Sequence, residues 1–153
     1  MASAPANDKA TVLAFDFGTR RIGVAVGNVM LGVARPLPTI AHDANATRFA
    51  AVAALIEEWR PDVLVVGLPV HHDGMPHEMT ARAERFARQL EGRFGLQVAR
   101  VDERYTTEGA ESALATSGVR VRDRKAVRDG VAAQLILQSW FDDTARNGTV
   151  GLA

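Results

Sequence analysis

The sequence predicts an α/β domain on a mixed five-stranded sheet: a three-strand antiparallel meander, then α/β units, with helices flanking the sheet. Three observations lead there. Residues 11–18 and 20–27 are apolar runs joined through Gly18-Thr19-Arg20, a connection too short for a crossover helix, so they must pair as an antiparallel hairpin. "DVLVVGLP", residues 62–69, is almost wholly apolar, as expected of a parallel strand covered on both faces. The order is three strands, then helix–strand–helix–strand, then helices. A dinucleotide-binding domain would instead place a helix directly after its first strand.

Each element has its own signal. In the first strand Val12, Ala14 and Asp16 share one face and Leu13, Phe15 and Phe17 the other, which marks a central strand. A third strand covers 31–40, where Pro36 and Pro38 force an edge position or an irregularity. "NATRFAAVAALIEEWRP" has helical spacing through Phe49, Val52, Ala53, Ile56 and Trp59, and Pro61 ends it. After 62–69 comes a polar loop, "VHHDGMPHE", then an amphipathic helix, "MTARAERFARQLEGRFG", closed near Gly95. "LQVARVDERY" is the fifth strand. "TTEGAESALATSG" reads as a short helix capped by Thr106 or Thr107 and stopped near Gly118. The last helix spans roughly 122–145, with Val131, Ala132, Leu135, Ile136 and Trp140 as its packing stripe. Residues 1–10 and 146–153 read as tails around one domain, 11–145.

Composition narrows the function classes. The 153 residues include no cysteine, which removes disulfides, thiolate catalysis and cysteine-based zinc sites and fits a reducing cytoplasm. The start has no apolar stretch of signal-peptide length, and no apolar run is long enough to span a bilayer. Eighteen basic and 18 acidic residues exclude a wholesale polycation but not a local patch. "RVRDRKAVR", Arg120 to Arg128, holds five basic residues against one acid and reads either as a solvated face or as a phosphate-binding stretch.

Familiar catalytic motifs are missing. Gly18 and Gly23 have phosphate-loop spacing, but Val24-Ala25 stand where Lys and Ser or Thr are needed, and a strand follows. There is no G-x-S-x-G nucleophile elbow. His71, His72 and His77 lack zinc-motif spacing and read as loop histidines or substrate contacts.

The acids carry more information. Asp16 ends the first strand, Asp102 and Glu103 end the fifth, and Asp129 lies in the last helix before "GVAAQLILQSW". A mixed sheet can gather these ends in one place. Such a cluster needs cations, and hard oxygen ligands suit Mg²⁺ or Mn²⁺. Two ions about 4 Å apart stabilise both the attacking and the leaving oxygen in phosphodiester hydrolysis. Bland readings stand beside this one: Asp129 paired with Lys125, Glu103 with Arg104 or Arg100, and Asp16 as a turn former beside Thr19.

Four stretches, "AFDFGTRRIGVAVGN", "VVGLP…DG", "VDERYTT" and "VRDGVAAQLILQSWFD", resemble in this order the YqgF family, Holliday-junction-resolvase-like proteins also described as pre-16S rRNA nucleases. The match covers about residues 11–143. The resemblance implies an RNase H-like fold and a metal-dependent nuclease acting on structured nucleic acid, with 5′-end maturation of pre-16S rRNA as its task. It implies Asp16, Glu103 and Asp129 as catalytic and metal-binding residues of a two-ion Mg²⁺ or Mn²⁺ site, Glu103 being favoured over Asp102. It also implies that Arg20, Arg21, Arg122, Arg124, Lys125 and Arg128 receive pre-rRNA or branched DNA. One departure is Arg128-Asp129-Gly130, where family members more often carry an apolar residue before the aspartate and a non-glycine after it.

Three other functions compete. A Holliday-junction-type DNA resolvase shares the chemistry but needs a dimer, and the sequence decides neither monomer nor dimer. A non-catalytic binding factor would have no use for three carboxylates facing a polyanion. An actin- or hexokinase-like ATPase shares the "FDFGT" pattern but needs a second large lobe and a second glycine-rich motif, for which 153 residues leave no room.

Overall fold

A computed structural model of the protein describes residues 10–18, 20–41, 45–69, 78–102 and 124–146, with the backbone alone for 45, 124–129 and 145–146. Five strands, β1 (Thr11–Phe17), β2 (Arg21–Asn28), β3 (Val33–Ala41), β4 (Val63–Leu68) and β5 (Gln97–Asp102), form one sheet in the order β3-β2-β1-β4-β5. The β1–β2 and β2–β3 pairs are antiparallel, and β1–β4 and β4–β5 are parallel. Among the described residues three helices accompany it, α1 (Asn45–Trp59), α2 (Glu78–Phe94) and α3 (Arg124–Arg146), and the short helix expected over "TTEGAESALATSG" lies outside them. The expected meander and α/β units are therefore present, and β1 is the central strand. Among the described residues no helix is long and apolar enough to cross a membrane.

Alternation along β1 divides the core. Leu13, Phe15 and Phe17 enter a cluster with Phe49 and Val52 of α1 and with Ala83, Phe86, Ala87 and Leu90 of α2. Phe86 is its hub, with ring centroids 5.9 Å from Phe15, 5.0 Å from Phe17 and 5.8 Å from Phe49. Val12 and Ala14 enter the opposite cluster, under Ala133, Ile136, Leu137 and Phe141 of α3. Both faces of β1 are thus dry, and the buried apolar area on each side is the main stabilising contribution.

Helix ends follow their stop signals. Arg60 takes the left-handed conformation (φ 48°) just before Pro61, and its N–H donates to the Ile56 carbonyl at 2.8 Å. Gly95 (φ 65°) closes α2 in the same way, donating to the Glu91 carbonyl at 3.0 Å.

Two packing stripes differ from the sequence reading. Ala53 of α1 is exposed, and the helix buries Phe49 and Val52 instead. In α3 Leu135 is 37% exposed, whereas Ala133, Leu137 and Phe141 are buried alongside Ala132 and Ile136. Apolar residues occupy almost every position from 130 to 137, so spacing alone leaves the helix phase open. The small side chains Ala132 and Ala133 let the helix lie close to the sheet, and that choice turns Leu135 outward. Strand β3 also starts later than expected, at Val33, because Gly32 (φ 63°) completes the preceding turn.

The exposed edge of β3 is closed to further pairing. The Ala34 N–H donates to Gln138 Oε1 at 3.3 Å, and Gln134 Nε2 donates to the Ala34 carbonyl at 3.0 Å. Gln138 Nε2 donates to the Gly32 carbonyl at 2.8 Å. Pro36, two residues further, has no N–H, and Pro38 lies where the β2–β3 register shifts. Side chains and prolines together block an edge that would otherwise template aggregation.

On the opposite flank Arg100 of β5 is held by two acids of α2, at 2.8 Å from Glu84 and 2.8 Å from Glu91. The hydrogen bond from Arg100 holds the Glu84 carboxyl below its usual range. A carboxyl with a lowered folded pKa stabilises the fold above its unfolded value, about pH 4.3, and this contribution is lost as pH falls through the folded value. Arg100 stays charged throughout that window. Arg100→Met should therefore cost stability at pH 7 and progressively less toward pH 3, measured as the difference in urea midpoint between variant and parent. A difference independent of pH would assign Arg100 to packing alone.

Candidate active site

Parallel strands β1, β4 and β5 end together, at Phe17, Leu68 and Asp102, on one edge of the sheet. From β1 the chain turns toward β2, and from β4 it passes through α2 to β5, in opposite directions along the sheet. Such a divergence opens a crevice beyond the carboxyl ends.

Asp16 stands at that edge, on the face covered by α3. Val12 and Ala14 on the same face are fully buried, whereas Asp16 is half-buried. The acid thus occupies the position where the apolar cover stops, which resolves why a doubly covered strand carries a carboxylate. Its lateral neighbours make room for it. Asp16 pairs with Gly23 of β2, and the β1–β4 register, with Phe15 opposite Val66, brings Gly67 beside it on the other flank. Residues in register share a face, so neither strand neighbour of Asp16 places a side chain beyond Cα beside the carboxylate. Sequence reading missed this role for Gly23 and Gly67. The available signal was an isolated glycine within each of two apolar strands.

The turn after Asp16 needs its glycine. A Cβ on Gly18 would lie 2.6 Å from the Arg21 carbonyl oxygen. Arg20 is exposed in this turn and Arg21 is half-buried at the start of β2, so both expected arginines lie at the carboxyl end of β1.

The other expected residues divide. In the register Val101 lies opposite Gly67 and joins the cluster under α3, so it shares the face of Asp16. Asp102 is the next residue, exposed and on the opposite face, which excludes it from a site with Asp16. Glu103, Arg122 and the histidines 71, 72 and 77 lie outside the described residues. Asp129, Arg124, Lys125 and Arg128 lie on α3, described for their backbone only. Asp129 precedes Ala133 by one helical turn, and Ala133 packs against the face that carries Asp16. Arg100 is engaged by Glu84 and Glu91. Gly130 has a packing reason: a Cβ there would stand 3.2 Å from Pro36 Cβ, so α3 comes close to β3 just beyond Asp129.

No group of three or more His, Cys, Asp or Glu side chains suited to a metal occurs among the described residues. Asp16 itself fits a hard divalent ion, as a carboxylate oxygen donor at a half-buried position between two glycine neighbours.

Comparison with known proteins follows the same lines. The family described as RuvX, Holliday junction resolvase, matches residues 10–143. A Nitrosospira multiformis protein named "Putative pre-16S rRNA nuclease" is 53% identical over 139 residues, covering 91% of each chain. A Chromobacterium violaceum protein of the same name is 56% identical over 131 residues, 85% of this chain and 96% of the relative. Among solved structures, T. thermophilus RuvC in complex with a Holliday junction substrate superposes with a TM-score of 0.54 at 18% identity, covering 92% of this chain and 97% of RuvC. Fowlpox virus resolvase with junction DNA superposes with a TM-score of 0.58 at 10% identity, covering 87% and 97%. At these identities the likeness to the two solved structures is one of fold.

The geometry at Gly18 gives a direct expectation. Gly18→Ala forces a methyl group against the Arg21 carbonyl and should destabilise the protein by about 1–3 kcal/mol, read as a lower urea midpoint with an unchanged m-value. An unchanged midpoint would mean that the turn opens at no cost and that Gly18 has no steric role.

Proposed function

The chain belongs to the RuvX Holliday junction resolvase family, a family of phosphodiester-cleaving nucleases, and from that premise we propose that it hydrolyses structured pre-16S rRNA in a divalent-metal-dependent reaction at the carboxyl edge of the sheet. The observation that carries this reading is the half-buried Asp16 carboxylate, flanked by Gly23 and Gly67 where the apolar cover of the central strand stops. The naming of relatives at 53% and 54% identity for pre-16S rRNA favours RNA over branched DNA as the substrate. Such a substrate would be met in the cytoplasm.

Asp16, Glu103 and Asp129 are the residues that would hold Mg²⁺ or Mn²⁺. Strand alternation supports Glu103 over Asp102, since the residue after Asp102 is next in line for the face of Asp16. The position of Asp129 one turn before Ala133 supports its approach to the same face. When bound, a pair of such ions supplies charge stabilisation to the attacking and leaving oxygens. The protein's own contribution is positional. The two glycine flanks admit the backbone phosphate to Asp16, and the rigid, doubly packed β1 keeps the carboxylate fixed. Arg20 and Arg21 in the hairpin turn, with Arg122, Arg124, Lys125 and Arg128 leading into and along α3, attract and orient the polyanion without reading its sequence. These assignments treat residues 11–145 as one nuclease domain.

Asp16→Asn is nearly isosteric, removes the charge and replaces one acceptor oxygen by an NH2 donor. It should fold normally by circular dichroism and retain RNA binding. Cleavage of a pre-16S rRNA fragment in Mg²⁺ should fall about 100-fold or more, since each 1.4 kcal/mol of lost transition-state stabilisation is about tenfold in rate. A four-way DNA junction and an unstructured RNA assayed in parallel establish substrate class. Equal cleavage by well-folded variant and parent would remove Asp16 from the chemistry.

A further inference from the structure

Arg48 lies in the first turn of α1 and packs its guanidinium over the ring of Phe17, 5.0 Å from the centroid. Phe17 is the last residue of β1 and the immediate neighbour of Asp16, on the opposite face. Three arginines have acid partners, Arg60 with Glu57, Arg82 with Glu78, and Arg100 with Glu84 and Glu91, and two more, Arg35 and Arg93, lie over the rings of Trp59 and Phe49; among the described residues the buried nitrogen without an acceptor is that of Arg48. Arg48 has no hydrogen bond or ion pair among the described residues, and its Nε is buried without an acceptor. Burial lowers its pKa, with no acid to counter the shift.

A buried Nε–H without an acceptor is unfavourable, and a ring face does not satisfy it. Structural arginines avoid this state by pairing, as Arg100 does. An arginine that must meet an anion only when substrate arrives cannot pair in advance. Its planar fork suits a phosphate, taken through Nε and one terminal nitrogen after a small rotation from the Phe17 ring. Because Arg48 stands across the end of β1 from Asp16, its anion would differ from the one at the carboxylate.

We propose that Arg48 binds a backbone phosphate of the nucleic-acid substrate flanking the phosphate that is cleaved at Asp16. This rests on the nuclease reading above and adds a contact on the α1 face of the sheet, away from the arginines leading into α3.

The test uses the full chain and a fluorescent hairpin RNA with a single-stranded 5′ extension, titrated in EDTA at several salt concentrations. Arg48→Met keeps an unbranched stem on Phe17 and removes the charge. It should weaken binding about tenfold at low salt and lower the slope of log K against log salt by about 0.7–0.9, the signature of one phosphate contact. Its melting temperature should be unchanged or higher, because a desolvated charge has been removed. Arg48→Lys should restore the slope while binding more weakly than the parent, because it keeps the charge and loses the fork. A parental slope in Arg48→Met, or failure of lysine to restore it, overturns the assignment, and a lower melting temperature with a parental slope makes Arg48 purely structural. Cleavage of the same RNA by the parent in Mg²⁺ separates the two ideas. An RNA bound and cut by the parent, with a parental slope in Arg48→Met, overturns Arg48 alone, whereas an RNA neither bound nor cut overturns the nuclease reading as well.

Discussion

Burial of β1 on both faces is the constraint from which the rest of the structure follows. A strand has two sides and a period of two, so dry cores above and below leave no freedom in side-chain assignment. Leu13, Phe15 and Phe17 must meet the aromatic cluster around Phe86, and Val12 and Ala14 must meet α3. Asp16 is then fixed on the α3 side at the strand's end, half-buried. A register slip of one residue would drive a carboxylate into an aromatic core, so the packing that stabilises the fold also aims the acid.

The flanking elements maintain that arrangement at low cost to the site. Gln134 and Gln138 of α3 reach the edge of β3 and fix the helix against the sheet by hydrogen bonds rather than by bulk. Gly130 permits the close approach at the helix start, next to Asp129. On the other flank the Arg100 clamp holds β5 to α2. At the carboxyl edge the strand neighbours of Asp16 are Gly23 and, next in the β1–β4 register, Gly67, and the turn that follows passes through the tightly seated Gly18. The glycines have different tasks: Gly18 makes the turn sterically possible, and the other two clear the flanks of Asp16.

The sequence was legible where a local rule had a single outcome. A turn through Gly18-Thr19-Arg20 cannot hold a crossover, Pro61 cannot continue α1, and the prolines of β3 cannot sit in a central strand. It was not legible where the outcome depends on what lies opposite. The phase of α3 was open because apolar residues cover most of its surface, and only contact with the sheet selects Ala133 and Leu137 over Val131 and Leu135. Asp16 stood out as an acid among apolar residues, but Gly23 and Gly67 acquire meaning only through strand register. Strand alternation puts Asp102 on the face opposite Asp16. Arg48 carried no signal at all in the sequence, since its character comes from the acceptor it lacks.

The central claim is that Asp16, between its glycine neighbours, is where the protein would receive a divalent ion. Paramagnetic broadening by Mn²⁺ in amide-resolved NMR spectra tests this without any substrate. The account predicts that substoichiometric Mn²⁺ first erases the amide signals of Asp16, Gly23 and Gly67, which lie side by side across three strands, and that excess Mg²⁺ restores them. Broadening centred elsewhere, or spread evenly over surface acids such as Glu57 and Asp142, would contradict it.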